Sequence, residues 1–149
     1  MGLFDRLKAL VAASPTPIAS LSHPILGQLV YDEEVEAWRV AAVTPAGSLP
    51  LLLYGDSEPG GAVLEKAVQL VRSSGVFLAE LEAFLEAEAK LQTVVAVEIR
   101  QLQLEDVSLF PAKGSGPVTG MVYFRGPDAD RVWRCDLDND RLHHLGFDS

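Results

Sequence analysis

The fold is decided by residues 61–91, GAVLEKAVQLVRSSGVFLAELEAFLEAEAKL, where apolar side chains recur every three or four positions. This spacing is typical of amphipathic helices, and it occurs twice, over residues 61–74 and over residues 76–91. The sequence Ser-Ser-Gly75 between the two halves is a common helix stop. The stretch therefore predicts two consecutive helices, each with one buried face.

Strand-like runs lie on both sides of these helices. Three precede them, separated by short turn-forming gaps that favour antiparallel hairpins: residues 25–31, 37–43 and 48–54. Four more follow, at residues 102–111, 118–125, 131–137 and 141–147. Residues 93–100 are compatible with either a helix or a strand. The sequence thus predicts an α+β fold with a mostly antiparallel sheet, in the order strands, two helices, strands.

A further short amphipathic helix is predicted at the N-terminus. Over residues 3–11, the apolar side chains fall on one helical face: Leu3, Phe4, Leu7, Leu10 and Val11. An isolated helix of this length is marginal in water, so this face needs a surface to dock on, which is on its own domain, on a second copy of the chain or on another partner. This face is the candidate interaction site. We therefore divide the chain into a helical arm (residues 1–13), a proline-rich connector (14–24) and a single α+β domain (25–149).

Composition and charge exclude several classes of protein. The 149 residues are 48 % apolar, which suits a globular domain with a hydrophobic core rather than a disordered chain. Acidic residues outnumber basic ones by 21 to 12, and the net charge of −9 disfavours nucleic-acid binding. No apolar run is long enough to span a bilayer, and the first residues lack the features of a secretory signal. We expect a cytoplasmic protein that binds neither nucleic acids nor membranes.

Two glycine-rich loops resemble nucleotide-binding motifs without completing them. Residues 55–60 have the glycine spacing of a phosphate-binding loop, but Gly61 and Ala62 stand where lysine and a hydroxyl residue are required. The glycines within residues 114–120 miss the dinucleotide-binding spacing by one position and do not lead into a helix. We therefore expect no nucleotide and no other cofactor.

The aspartates and histidines near the C-terminus do not predict a metal site. Asp136, Asp138 and Asp140 are spaced like the start of a calcium loop, but the glycine and the bidentate glutamate of that loop are missing. A hairpin turn is the simpler interpretation. His143 and His144 are adjacent, so in a regular strand they point to opposite faces and cannot bind one metal together. We expect no bound metal.

No catalytic site is expected either. Cys135 is the single cysteine, and the neighbouring Asp136 does not favour a reactive thiolate. Zinc binding by Cys135 and His23 with the other histidines would require the fold to gather them. The glutamates within residues 33–36 offer carboxylates for a hydrolase, but a polar turn explains them more simply.

Three side chains stand out from the patterns around them. Glu88 is the anomalous acid of the second helix, because it lies on the apolar stripe four residues after Phe84. Its carboxylate must be paired, protonated or at the frayed end of the helix, and we favour the frayed end. Trp38 and Trp133 alternate with apolar neighbours in their strands, which predicts that both lie in the core.

The order of several short motifs resembles a bacterial family. The pattern LGxLxYD from Leu26 to Asp32, followed by Trp38 in the next strand, is similar to the start of proteins in the domain-of-unknown-function family numbered 2262. Those proteins continue through two helices to a run like residues 102–111 and an aromatic strand like residues 121–124. The resemblance covers residues 25–147 loosely. It implies the order of the elements and a bacterial cytoplasmic setting, but no enzyme activity and no functional residue.

These observations favour a function without chemistry. We interpret the protein as a non-catalytic protein-interaction domain that binds an unknown protein or self-associates through its N-terminal arm. Two alternatives stay open. One is an immunity-type protein that neutralises a partner toxin through its acidic surface. The other is an enzyme or small-ligand binder whose site forms only in three dimensions.

Overall fold

Eight strands form one sheet in the computed structural model, which describes residues 20–55, 59–113 and 116–148. In chain order the strands are β1 Ser20–His23, β2 Gly27–Asp32, β3 Ala37–Thr44, β4 Gly47–Tyr54, β5 Gln103–Phe110, β6 Thr119–Arg125, β7 Val132–Asp138 and β8 Arg141–Asp148. Between β4 and β5 the chain forms α1 (Gly61–Arg72), α2 (Ser74–Leu91), a 3₁₀ turn (Thr93–Val95) and α3 (Ala96–Ile99). The predicted N-terminal helix lies outside the described residues.

The helical segment sets the direction of the second half of the sheet. The strands lie side by side in chain order, and all neighbours are antiparallel except β4 and β5. These two run parallel, with Leu51 opposite Val107 and Leu53 opposite Leu109. A parallel pair needs a long crossover connection, which α1, α2 and α3 provide. The sheet therefore consists of two antiparallel halves joined by one parallel pair.

The domain is α+β, but the sheet type and the element order predicted from the sequence are wrong. The sheet is mixed, because the helical crossover makes β5 parallel to β4 and the strands therefore do not form one continuous set of hairpins. Residues 93–99 add a 3₁₀ turn and a third helix, and β1 adds a strand inside the predicted connector. Local periodicity misses these features: parallel pairing depends on residues far apart in the chain, and the four-residue β1 is too short to show alternation.

The helices bury one face of the sheet. Their buried side chains share one apolar core with alternate strand residues: Val63, Ala67, Leu70, Phe77, Leu81 and Ala89 from α1 and α2, and Leu29, Leu51, Val107, Val122 and Leu137 among the strand residues. Burying a large apolar side chain of this kind stabilises the fold by roughly 1.5–3 kcal/mol. Within the residues that the structure describes, no helix is both long and apolar enough to cross a membrane.

The prediction that both tryptophans belong to the core is confirmed. Trp38 is 1 % exposed, and Trp133 is fully buried. Each shares its strand face with the expected neighbours, Trp38 with Val40 and Trp133 with Cys135, which are also buried. The alternation in β3 and β7 therefore identified the helix-covered face correctly.

The second face of the sheet, called the open face below, is formed by the intervening strand residues. The apolar core that contains the helix residues does not include this face: Leu52 points to the open face and is buried, yet it lies outside that core. The open face is the surface on which the remaining polar and aromatic strand residues meet.

Candidate functional site

The open face brings together polar, aromatic and apolar side chains from seven strands. The register places one row of residues across it: Val30, Arg39, Leu52, Ser108, Met121, Asp136 and His143, from β2 to β8. Asp106, Tyr123 and Arg134 pair in a neighbouring row across β5, β6 and β7. Because strand residues alternate between faces, these side chains form a surface separate from the helix-covered core.

Asp106 is the central acid of this surface. Burial raises the pKa of its carboxyl group above the ordinary value, and the nearby charge of Glu105 raises it further. Arg39 and a hydrogen bond from Ser108 lower the pKa by less. The Ser108 hydroxyl donates that bond to Asp106 Oδ1 over 3.4 Å. Asp106 therefore occupies a partly dehydrated position that favours its neutral form.

Aromatic rings lie on the same face as Asp106. Tyr54 and Phe110 stack, with ring centroids 4.8 Å apart and an angle of 24° between the ring planes. Tyr123 lies opposite Asp106, and burial is the main cause that raises the pKa of its hydroxyl group. Rigid aromatic side chains with polar ends are enriched in protein-binding surfaces.

The Asp106 cluster lacks the parts of a nucleophilic catalytic site. Ser108 is fully buried, so its hydroxyl group cannot reach an external substrate. The cluster can bind and orient polar groups, but it does not present an activated nucleophile.

An apolar groove of about 630 Å³ lies at one end of the open face. It is lined by the β1–β2 turn and by residues of β2 and β3. Most of them are apolar (Pro24, Ile25, Leu26, Val30, Ala41 and Val43), and Gln28 and Arg39 add polar groups. The exposed fractions are 39 % for Ile25, 51 % for Val30 and 89 % for Val43. Solvent-facing positions of a one-sided sheet are usually polar, so these side chains form an unusual exposed apolar patch.

His143 and His144 both lie on the open face, so the expectation that they point to opposite faces is wrong. The residues pair as Asp136 with His143 and Arg134 with Gly146, which leaves two residues of β8 opposite the single Cys135 of β7. This β-bulge interrupts the alternation, and His144 has a φ of 60°. The extra residue turns the second ring to the side of the first.

The wider zinc set of His23, Cys135 and the paired histidines does not assemble. Within the described ranges, the only group of possible ligands is Asp136, His143 and His144. The His23 ring accepts backbone hydrogen bonds from Ile25 and Leu26 in the β1–β2 turn. Cys135 is buried in the core, and burial raises the pKa of its thiol to about 12, with help from the charge of Asp136. Cys135 is therefore an inert core residue.

Glu88 lies inside the last turn of α2 rather than at a frayed end. The helix continues to Leu91, and the Glu88 carboxylate accepts a 3.1 Å hydrogen bond from Gln92 Nε2. The same amide nitrogen donates to the backbone oxygen of Leu145 over 3.3 Å, which connects α2 with β8. Of the three arrangements considered for Glu88, the structure contains the paired one.

The acidic clusters near the hairpins are turns. Asn139 and Asp140 have φ values of 50° and 63°, as required by the tight turn between β7 and β8. Glu36 has a φ of 55° in the β2–β3 turn, where Asp32 Oδ1 accepts a hydrogen bond from the Glu34 amide. Both predicted turns are confirmed. The two glycine-rich loops lie partly outside the described residues.

At each bulge the sequence breaks the two-residue spacing of apolar strand residues, and the strand predictions overlooked this break. Leu102 and Leu104 keep the two-residue spacing of a strand, but Val107 follows after three residues, and the β5–β6 register shifts there. Leu142 and Leu145 are likewise three apart around the β8 bulge. A single three-residue step inside a two-residue pattern predicts an inserted residue, and both candidate polar clusters lie at such steps.

No family model, curated protein or solved structure shows a significant match to this chain. The resemblance to the family numbered 2262 therefore stays a prediction.

Proposed function

We propose that this protein is a non-catalytic, cytoplasmic protein-interaction domain that self-associates, and that the apolar groove on its open face receives the N-terminal arm of a second copy. One observation carries the proposal: Ile25, Val30 and Val43 are exposed together beside a groove of about 630 Å³. Such a patch is costly on a protein that binds nothing there.

The occupant has complementary chemistry. The apolar stripe of residues 3–11 presents five side chains that need a partner surface, and the groove presents apolar side chains that need covering. Insertion of an amphipathic helix into an apolar groove is a common mode of recognition, anchored by residues three and four positions apart. Leu3, Leu7 and Leu10 have that spacing.

The proline-containing connector suits docking on a second copy. Pro15 and Pro17 favour an extended segment between the arm and β1, and an extended segment can present the arm to another molecule. Exchange of identical arms then produces a symmetric dimer.

Light scattering on the full chain and on three variants tests this proposal. We expect the full chain to have the mass of a dimer, and we expect Leu7→Glu and Val30→Glu to halve it, because each places a charge in the apolar contact. Val132→Glu is the matched control: Val132 is also in a strand and is 49 % exposed, against 51 % for Val30, but it lies on β7. This variant should stay dimeric.

Cross-linking identifies the docking surface. A bismaleimide should join Lys8→Cys to Val43→Cys between two chains and should not join Lys8→Cys to Val132→Cys, while the buried Cys135 reacts little. A full chain that is monomeric at every concentration would contradict self-association. A dimer that survives Val30→Glu, or a cross-link within one chain, would contradict docking of a second copy's arm in this groove.

A further inference from the structure

Three metal-ligating side chains converge on the open face at the β7–β8 edge. His143 Nδ1 lies 2.9 Å from His144 Nδ1, and His144 Nδ1 lies 3.1 Å from Asp136 Oδ2. One ligand atom from each of the three residues lies within 4.8 Å of the other two. This cluster is separate from the apolar groove, whose lining comes from the β1–β2 turn, β2 and β3.

The backbone holds this arrangement in place at a conformational cost. His144 occupies the left-handed region with a φ of 60°, which non-glycine residues adopt rarely. A regular strand would place His144 on the helix-covered face, away from Asp136. The bulge instead brings the two imidazole rings together, with centroids 4.4 Å apart. Strained residues of this kind concentrate at functional sites.

The three ligand atoms share too few protons to satisfy one another. When the His144 Nδ1 proton is donated to Asp136, the same nitrogen has no lone pair to offer His143. When the His144 proton is on Nε2 instead, His144 Nδ1 also carries a lone pair, and all three ligand atoms direct electron pairs toward one small region. A divalent cation placed there would accept from all three.

We propose that Asp136, His143 and His144 form a binding site for a divalent transition metal ion of the zinc type. Two imidazole nitrogens and one carboxylate oxygen form a donor set that suits Zn²⁺ and not Mg²⁺ or Ca²⁺, which prefer oxygen ligands. With metal–ligand distances of about 2.0–2.1 Å, neighbouring ligand atoms lie roughly 2.9–3.4 Å apart. The distances from His144 Nδ1 to His143 Nδ1 and to Asp136 Oδ2, 2.9 and 3.1 Å, fall in that range.

The site is exposed, so an ion can enter it directly from solvent. The side chains of His144 and Asp136 are 76 % and 37 % exposed, so the ion reaches them directly from solvent. Three protein ligands leave at least one coordination position for water, as in open zinc sites. The expectation of no bound metal relied on strand alternation, which the bulge at His144 interrupts.

Calorimetric titration of the metal-free full chain with Zn²⁺ tests the proposal. We expect one equivalent to bind per chain, and we expect Co²⁺ to give visible absorption bands of a mixed nitrogen and oxygen site. His143→Gln, His144→Gln and Asp136→Asn should each weaken binding by more than the roughly 10- to 100-fold loss seen when an outer hydrogen-bonding partner is removed.

His23→Gln is the matched control. It removes the third histidine of the chain, which accepts hydrogen bonds in the β1–β2 turn, and it should leave both the affinity and the Co²⁺ spectrum unchanged. The absence of stoichiometric Zn²⁺ binding would overturn the proposal. So would an affinity that His144→Gln leaves unchanged, or one that His23→Gln reduces as strongly as His143→Gln does.

Discussion

The indole nitrogen of Trp133 donates a 2.6 Å hydrogen bond to Glu98 Oε2. Arg131 Nη1 lies 2.5 Å from the other carboxylate oxygen of the same residue. One acidic side chain on α3 thus binds two residues at the start of β7, on the side where the crossover connection returns to the sheet. The short helix, which has only four residues, is held in place by this contact and by the buried Ile99.

The two tryptophans differ in this hydrogen bond, which makes them a matched pair. Both are buried, but the indole nitrogen of Trp38 has no hydrogen-bond partner among the described residues. Trp133→Phe should therefore lower the free energy of unfolding by about 1.5–3 kcal/mol more than Trp38→Phe, the usual contribution of a hydrogen bond to a charged group. Urea denaturation measures the difference. Equal losses would mean that the Glu98 contact adds nothing to stability.

Asp106→Asn should stabilise the protein at neutral pH. Because burial raises the folded-state pKa of Asp106 above that of the unfolded chain, ionisation of this carboxyl group costs stability as the pH rises. The gain from the substitution should be present at pH 7 and absent below the unfolded pKa of about 3.9, where both states are neutral. Urea denaturation across this pH range measures it.

The neighbouring acid provides the control for Asp106. Glu105 is exposed, and its charge is the second cause of the raised pKa of Asp106. Glu105→Gln should therefore give a gain of the same sign but smaller. Loss of stability at pH 7 in Asp106→Asn would show that the fold stabilises the ionised form of this group.

Cys135 should resist thiol reagents in the folded protein. Burial raises the pKa of its thiol to about 12, so the folded state at pH 8 contains on the order of a thousandfold fewer thiolates than the unfolded state. We expect labelling with a disulfide reagent to be slow in buffer and rapid in urea. Rapid labelling in buffer, with the circular dichroism spectrum unchanged, would contradict the buried position.

Gly120 and Gly146 should respond differently to the same substitution. A Cβ atom at Gly120 would lie 3.1 Å from the backbone oxygen of Ser108 and 3.3 Å from Leu137 Cβ, whereas one at Gly146 would have no neighbour within 4 Å. Gly120→Ala should therefore cost about 1–3 kcal/mol, as overpacking usually does. Thermal unfolding of both variants measures this. An equal loss of stability in Gly146→Ala would indicate that the backbone conformation, and not crowding around the added Cβ atom, causes the loss.

Local pattern determined the elements that repeat over several turns or residues. The three- and four-residue spacing in residues 61–91 placed α1 and α2, and the alternation around Trp38 and Trp133 identified the buried face of β3 and β7. These features depend on burial of one side of a regular element, and that requirement is visible in any single sequence. The turns after Asp32 and Asp138 were recognisable for the same local reason.

Tertiary structure alone decided which elements are neighbours and which polar side chains meet. The parallel contact of β4 with β5 joins residues more than fifty positions apart, so no local pattern specifies it. Strand pairing and two bulges bring Asp106 within reach of the charge of Arg39 and bring Asp136 into contact with His144. Each bulge moves side chains to the other face by inserting one residue, and the pairing partner determines where that residue is accommodated.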